Sequence, residues 1–175
     1  MPIKPPIPEL GFLRNIRNHK EFSSKVRQLC SDDAAGALES QAAYVGARWA
    51  KLGMIHLKEA RAAFNSNLVR SCYSRSYYAC YNLSKAVRFL DAGAVSLKGD
   101  DHQKAPDLPD AFPDRDKASL LITTLYQCRL MADYDNWTGH KLARYPMTLR
   151  DAIEKSVDFA KAVRGVMRIN YGVKI

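Results

Sequence analysis

The stretch Leu68–Leu90, LVRSCYSRSYYACYNLSKAVRFL, decides the fold class. Its Cys72, Ser76, Ala79, Cys80, Leu83, Ala86, Val87 and Leu90 recur at the 3.6-residue period of a helix and make a narrow stripe of small side chains that faces a core. The large residues fall beside that stripe, with Arg75, Tyr78, Asn82, Lys85 and Phe89 on one flank and Tyr77, Tyr81 and Arg88 on the other. A monomer would leave some of these rings wet. Because Tyr and Arg are favoured in protein interfaces, the flanks predict either a homodimer contact along this helix or a ligand surface.

Outward from this helix the punctuation is local. Asn65-Ser66-Asn67 is a polar turn before it, and Ser31-Asp32-Asp33 is an N-cap cluster that starts a long helix running to about Phe64, with Ala43, Ala47, Ala50, Met54 and Leu57 at helical spacing. A short helix is predicted around Asn15 to Leu29. The first dozen residues, with Pro2, Pro5, Pro6 and Pro8, form an extended arm. Downstream, Asp91-Ala92-Gly93 stops the central helix, and Ser96 to Pro113 reads as a long loop of the kind that is functional or mobile in a compact domain. Asp114 caps a third long helix to about Tyr134, Trp137 to Pro146 is a second connection, and Thr148 begins a last helix striped by Leu149, Ala152, Ile153, Ala160, Val163 and Met167. No segment alternates as a strand does. The expected architecture is an all-α bundle, with residues 1–31 an arm and short helix and residues 32–175 the bundle.

The 175 residues, 47% hydrophobic and 26% charged, suit one globular domain. No apolar run approaches the ~18 residues of a membrane span, and Met1-Pro2-Ile3-Lys4-Pro5-Pro6 lacks the apolar centre of a secretory signal, which argues for a cytoplasmic protein without a membrane partner. Cys30, Cys72, Cys80 and Cys128 form no CxxC pair and read as reduced, buried thiols. His19, His56, His102 and His140 lie too far apart for a local metal site, and no Gly-rich phosphate loop is present, so no metal or cofactor is expected. The net charge of +9 is uneven: Tyr44 to Asp91 holds eight Lys or Arg against only Glu59 and Asp91, interleaved with six tyrosine or tryptophan rings. That pattern suits either nucleic acid, through phosphate contacts and stacking, or a basic protein whose tyrosines pack inside.

In the third long helix the apolar stripe is Ala118, Leu121, Ile122, Leu125, Cys128 and Ala132, and Arg129 projects almost onto its centre. Burying an unpaired guanidinium costs several kcal/mol, roughly, so Arg129 must pair or line a wet cleft. Asp133, at i+4, is within reach, and Tyr134 and Asp135 follow. The residue either forms an ion pair within a bundle core or serves a ligand or dimer cleft.

Ser74-Arg75-Ser76-Tyr77-Tyr78-Ala79-Cys80-Tyr81 followed by Lys85-Ala86, with His102 in the loop and Arg129-Leu130-Met131-Ala132-Asp133-Tyr134-Asp135, resembles the signature of HEPN proteins of the small prokaryotic branch. The resemblance covers about Tyr44 to Asn170. It implies a four-helix up-and-down bundle that dimerises around a positively charged cleft. Many members are metal-independent ribonucleases of toxin–antitoxin and antiviral defence systems, while others bind nucleotides or act as non-catalytic partners. The nuclease members carry an Arg followed after four to six residues by His. Here Tyr134, Asp135 and Asn136 stand at those places, so that histidine is missing; Arg14 and His19 have the spacing but lie outside the resemblance.

Transesterification by a ribose 2′-hydroxyl needs a proton acceptor and a cation for the charged phosphorane. Arg129 answers the second need. Tyrosine, with a pKa of about 10, and a carboxylate, at about 3.9, are poor bases near neutrality. His102, flanked by Asp101 and Lys104, reads as an exposed or structural loop residue unless its loop folds over the cleft. The expected function is RNA or nucleotide binding, with Arg129, Asp133, Tyr134 and His102 as catalytic candidates and Arg75, Tyr78, Asn82 and Lys85 as binding candidates. The alternative is a non-catalytic adaptor for a nucleotidyltransferase-like or other protein partner, an antitoxin included.

Overall fold

The computed structural model describes residues 18–94, 100–134 and 144–175. They form five α-helices and, among the described residues, no strand: α1 (His19–Leu29), α2 (Asp32–Asn65), α3 (Val69–Ala92), α4 (Arg115–Tyr134) and α5 (Leu149–Tyr171). The all-α expectation holds, and the long helices start and stop within a few residues of their predicted ends. The extended arm, Ser96 to Gly99 and most of the Trp137–Pro146 connection lie outside the described residues. None of these helices is long and apolar enough to cross a membrane.

Local chemistry sets the ends. Ser31 Oγ accepts from Ala34 N at 3.1 Å to start α2, and Thr148 Oγ1 accepts from Asp151 N at 3.1 Å to start α5. Asp114 precedes α4 with φ at +47°, and its carbonyl accepts from Ala118 N at 3.0 Å. Gly93, with φ at +80°, ends α3 in the left-handed region that glycine enters without strain.

The start of α1 is wired to the end of α3. His19 N donates to Gly93 O and Asn18 Nδ2 to Ala92 O, each at 2.7 Å, Lys20 Nζ donates to Asp91 O, and the His19 ring Nε2 donates to Phe89 O at 3.0 Å. One backbone donor left over at a helix start, joined by three side-chain donors, thus meets the last carbonyls of another helix. The short helix is therefore docked on the bundle.

Against α2, α3 packs through small residues. A methyl at Gly53 would lie 2.7 Å from Leu83 Cγ and 2.9 Å from Ala79 O, and one at Gly46 would lie 2.8 Å from the Leu90 side chain. α4 and α5 close the remaining sides of α3. The stripe predicted for α3 is consequently too narrow. Tyr73 and Tyr77 are wholly buried and Arg88 nearly so, and of the four α3 tyrosines Tyr78 and Tyr81 keep partial exposure. Of the rings expected to be wet in a monomer, Tyr77 is covered within one chain, whereas Tyr78, Tyr81 and Phe89 are covered only partly, with the 100–114 segment contributing to the cover. That segment buries Ala105, Leu108 and Phe112 and is tied down by Ser84 Oγ to Ala105 O at 2.5 Å and Ser119 Oγ to Pro106 O at 2.6 Å.

Candidate functional site

α3 and α4 run antiparallel, so one face of each meets in register: Ser74 beside Asp133, Tyr78 beside Arg129, Tyr77 beside Tyr126. The i, i+4 spacing of Arg129 and Asp133 on α4 brings Nε within 2.6 Å of Asp133 Oδ2, not aligned for a hydrogen bond, so charge holds the pair. Ser74 Oγ donates to the other Asp133 oxygen. Nη2 of Arg129 donates to Tyr78 Oη at 3.2 Å and to Tyr134 Oη at 3.5 Å. The guanidinium carbon sits 5.6 Å from the Tyr78 ring and 5.3 Å from the Tyr134 ring, within cation–π range of both. Burial opposes its charge, but Tyr78, Asp133 and Tyr134 outweigh that, so Arg129 stays a cation. Beside it opens a pocket of about 550 Å³ lined by Arg70, Ser71, Ser74, Arg75, Tyr78 and Asp133.

His102 comes from the loop after α3, and the loop does fold onto this face. Its ring stacks on Tyr81 at 4.4 Å between centroids and 19° between planes, and its Nδ1 shares a 2.8 Å hydrogen bond with the Tyr77 hydroxyl. Tyr126 stands 6.4 Å away on α4 and Tyr78 presents its edge at 6.2 Å. Burial, and then the Arg129 charge, push the imidazole below its ordinary value against the pull of Asp101, so it is neutral at pH 7. Burial also raises the Tyr77 and Tyr81 hydroxyls far above their ordinary value, which leaves both as neutral phenols.

The neighbouring Asp101 is buried among donors. Tyr81 Oη donates to Oδ2 at 2.5 Å, Arg88 Nη1 and Nη2 both donate to Oδ1 at 3.1 Å, and Lys85 Nζ lies 3.2 Å from Oδ2. Burial pushes its carboxyl up, but the Tyr81 hydrogen bond and the two cations overcome this and hold it below the usual range. Lys85 Nζ also sits 4.2 Å over the Trp49 ring of α2.

Of the binding candidates, Tyr78 lies at the centre. Arg75 lines the pocket but is 3.3 Å from Glu59 Oε2 and 3.2 Å from His56 Nδ1, both on α2. Lys85 is committed to Asp101 and Trp49. Asn82 has to be struck out: it is buried at 3% exposure, and its Nδ2 donates to Tyr78 O at 2.8 Å, inside the helix. Among the catalytic candidates, Arg129, Asp133 and Tyr134 come together and His102 approaches from the loop; Asp135 falls outside the described residues. Tyr126, Asp101, Ser74, His56 and Glu59 were not singled out for the site. Ser74 stands in the quoted motif and Asp101 adjoins His102, whereas the roles of Tyr126, His56 and Glu59 depend on inter-helix pairing that carries no local signal.

The cysteines are mostly as read: Cys72, Cys80 and Cys128 are buried, and burial pushes their thiols up to about 11, 12 and 11, which makes them poor nucleophiles. Cys30 is the correction, since it is exposed at the end of α1, where the helix does not cover it. Among the described residues no group of three or more His, Cys, Asp or Glu is placed to hold a metal ion. Comparison with protein-family models, with curated proteins and with solved structures gives no match for this chain.

Proposed function

We propose that this chain binds RNA or nucleotides in the Arg129 cleft, as a homodimeric HEPN-type protein of a toxin or defence system, with weak metal-independent ribonuclease chemistry at most. The observation that carries this reading is a half-buried guanidinium held between two tyrosines and paired with Asp133, next to a pocket that holds Arg70, Arg75 and two serine hydroxyls. Planar cations beside phenol rings suit a phosphate next to a stacked base. In cleavage, Nδ1–H of His102 donates to Tyr77 Oη and the free Nε2 takes the 2′-hydroxyl proton as that oxygen bonds to phosphorus; Arg129 stabilises charge on the phosphorane, the bond from phosphorus to the 5′-oxygen breaks, and the imidazolium returns its proton to that leaving oxygen. His102 thereby fills the chemical place of the histidine that is missing after Arg129.

A second reading has its own support. Arg75, Lys85 and Arg129 each contact a carboxylate of this chain already, which suits an adaptor that docks a protein partner and does no chemistry. The separating experiment incubates the protein and its Arg129→Ala form with a labelled RNA pool in EDTA, following cleavage and band shift. Cleavage or retention by the parent that is lost in Arg129→Ala supports the first reading; cleavage indifferent to the substitution means another site. Neither binding nor cleavage, with co-purification of a protein, supports the adaptor. Sedimentation showing monomer alone would remove the two-protomer cleft.

A further inference from the structure

We propose that Asp101 is a positioning residue, which acts through the loop backbone to hold the His102 imidazole against the tyrosines beside Arg129. The inference deepens the proposed function, since it concerns the same site, but its central measurement needs no RNA. Asp101 immediately precedes His102 and is 6% exposed, yet it is not buried for packing. The donors around its carboxylate all come from one helix. Tyr81, Lys85 and Arg88 lie at i, i+4 and i+7 on α3 and converge on its two oxygens within 3.2 Å. Arg88 is in turn fixed by its Nε donating to Ser84 Oγ at 3.1 Å. A carboxylate with this many donors has one low-energy placement, and the next residue inherits it.

The consequence for His102 is geometric. Its stack on Tyr81 uses the ring whose hydroxyl binds Asp101, so one tyrosine locks two adjacent loop residues, one through its edge and one through its face. Tyr77 then selects the ring orientation through Nδ1, which leaves Nε2 as the nitrogen available to a ligand. The groups facing the imidazole are Tyr77, Tyr78, Tyr81 and Lys85 from α3, Tyr126 and Arg129 from α4, and Asp101 from its own loop.

A purely electrostatic role for Asp101 predicts something different. If its charge alone acts on His102, removing that charge lowers the imidazole pKa further, because a carboxylate favours the imidazolium. If it positions the ring, removing it frees the loop and the pKa rises toward the ordinary value of about 6.5. The two outcomes have opposite signs. The experiment is NMR titration of the His102 Cε1–H signal in the full chain, for the parent and for Asp101→Ala. Because Asp101→Ala leaves Arg88 buried and unpaired, the double variant Asp101→Ala/Arg88→Met is titrated as well.

The expected result in whichever variants fold is an upward pKa shift together with loss of the upfield ring-current shift from Tyr81. An unmoved or lowered pKa with the ring-current shift retained would overturn the proposal. A labelled-RNA assay in parallel separates the two ideas. A moved His102 signal in a chain whose parent neither binds nor cuts RNA keeps the positioning role and sinks the RNA reading. RNA cleavage by the parent that survives in the double variant with His102 unmoved does the reverse.

Discussion

His102 and Asp101 are neighbours whose charges are displaced in ways that bear on acid stability. The imidazole is held below its ordinary value by burial and by Arg129, so the unfolded chain binds a proton more readily than the folded one. Its contribution to stability is complete above about pH 6.5 and is lost as pH falls below that toward the folded value. Asp101 is lowered as well, its Tyr81, Arg88 and Lys85 contacts prevailing over burial. Its contribution is present above the usual carboxylate value of about 3.9 and is lost as pH falls through its still lower folded value. Both effects weaken the fold on acidification, in two separate windows. Melting temperature measured against pH should therefore fall first as pH drops below about 6.5, and His102→Gln should flatten that upper step alone. An identical profile in His102→Gln would mean that the ring titrates as it does in the unfolded chain.

The helix ends carry the next prediction. Gly93 is required twice, by its φ of +80° and because a methyl there would lie 2.1 Å from Asn18 Oδ1. Gly93→Ala should cost about 2 kcal/mol, from a left-handed backbone for alanine and displacement of the Asn18 cap. For a chain of this length that is a fall of about 4–8 °C in melting temperature. Loss of amide protection confined to α1 and the last turn of α3 in hydrogen exchange would locate the damage; an unchanged melt would mean that neither the left-handed turn nor the Asn18 contact is held in solution. These ends were legible because they are local: Ser31, Thr148 and Gly93 announce themselves by residue type. The surroundings of α3 were not, since a 100° projection sees one helix and not what covers it. Tyr77, Arg88 and Asn82 looked like surface residues because the helix is enclosed on more sides than its aliphatic stripe requires. Arg129 with Asp133 was legible from i, i+4 spacing. That His102 belongs beside them depends on Asp101 reaching Arg88, a long-range ion pair with no periodicity to betray it.

Across the whole molecule the +9 charge would attract any polyanion, so RNA retention by itself does not identify the cleft. The salt dependence does. Each phosphate neutralised by a cation on a single strand contributes about −0.7 to the slope of log K against log salt. Arg75 lines the pocket and Arg129 contacts Tyr78 and Asp133 of its wall, so Arg129→Ala and Arg75→Ala should each make the slope shallower by about 0.7, and the double variant by about 1.4. Arg168 is an exposed cation in the last turn of α5, close to Tyr171, whose hydroxyl donates to Asp91 at the end of α3 opposite Ser74. Arg168→Ala should leave the slope as it is. The reason lies in the arrangement of charge, because a basic protein that binds RNA diffusely loses the same increment wherever a cation is removed, whereas a cleft loses it only at its own residues. Fluorescence anisotropy of a short labelled RNA across a salt series distinguishes the two. Equal changes for Arg168→Ala and Arg129→Ala would reduce the cleft to one part of a general electrostatic surface, and Tyr78 and Tyr134 would then serve only to hold the Arg129 charge.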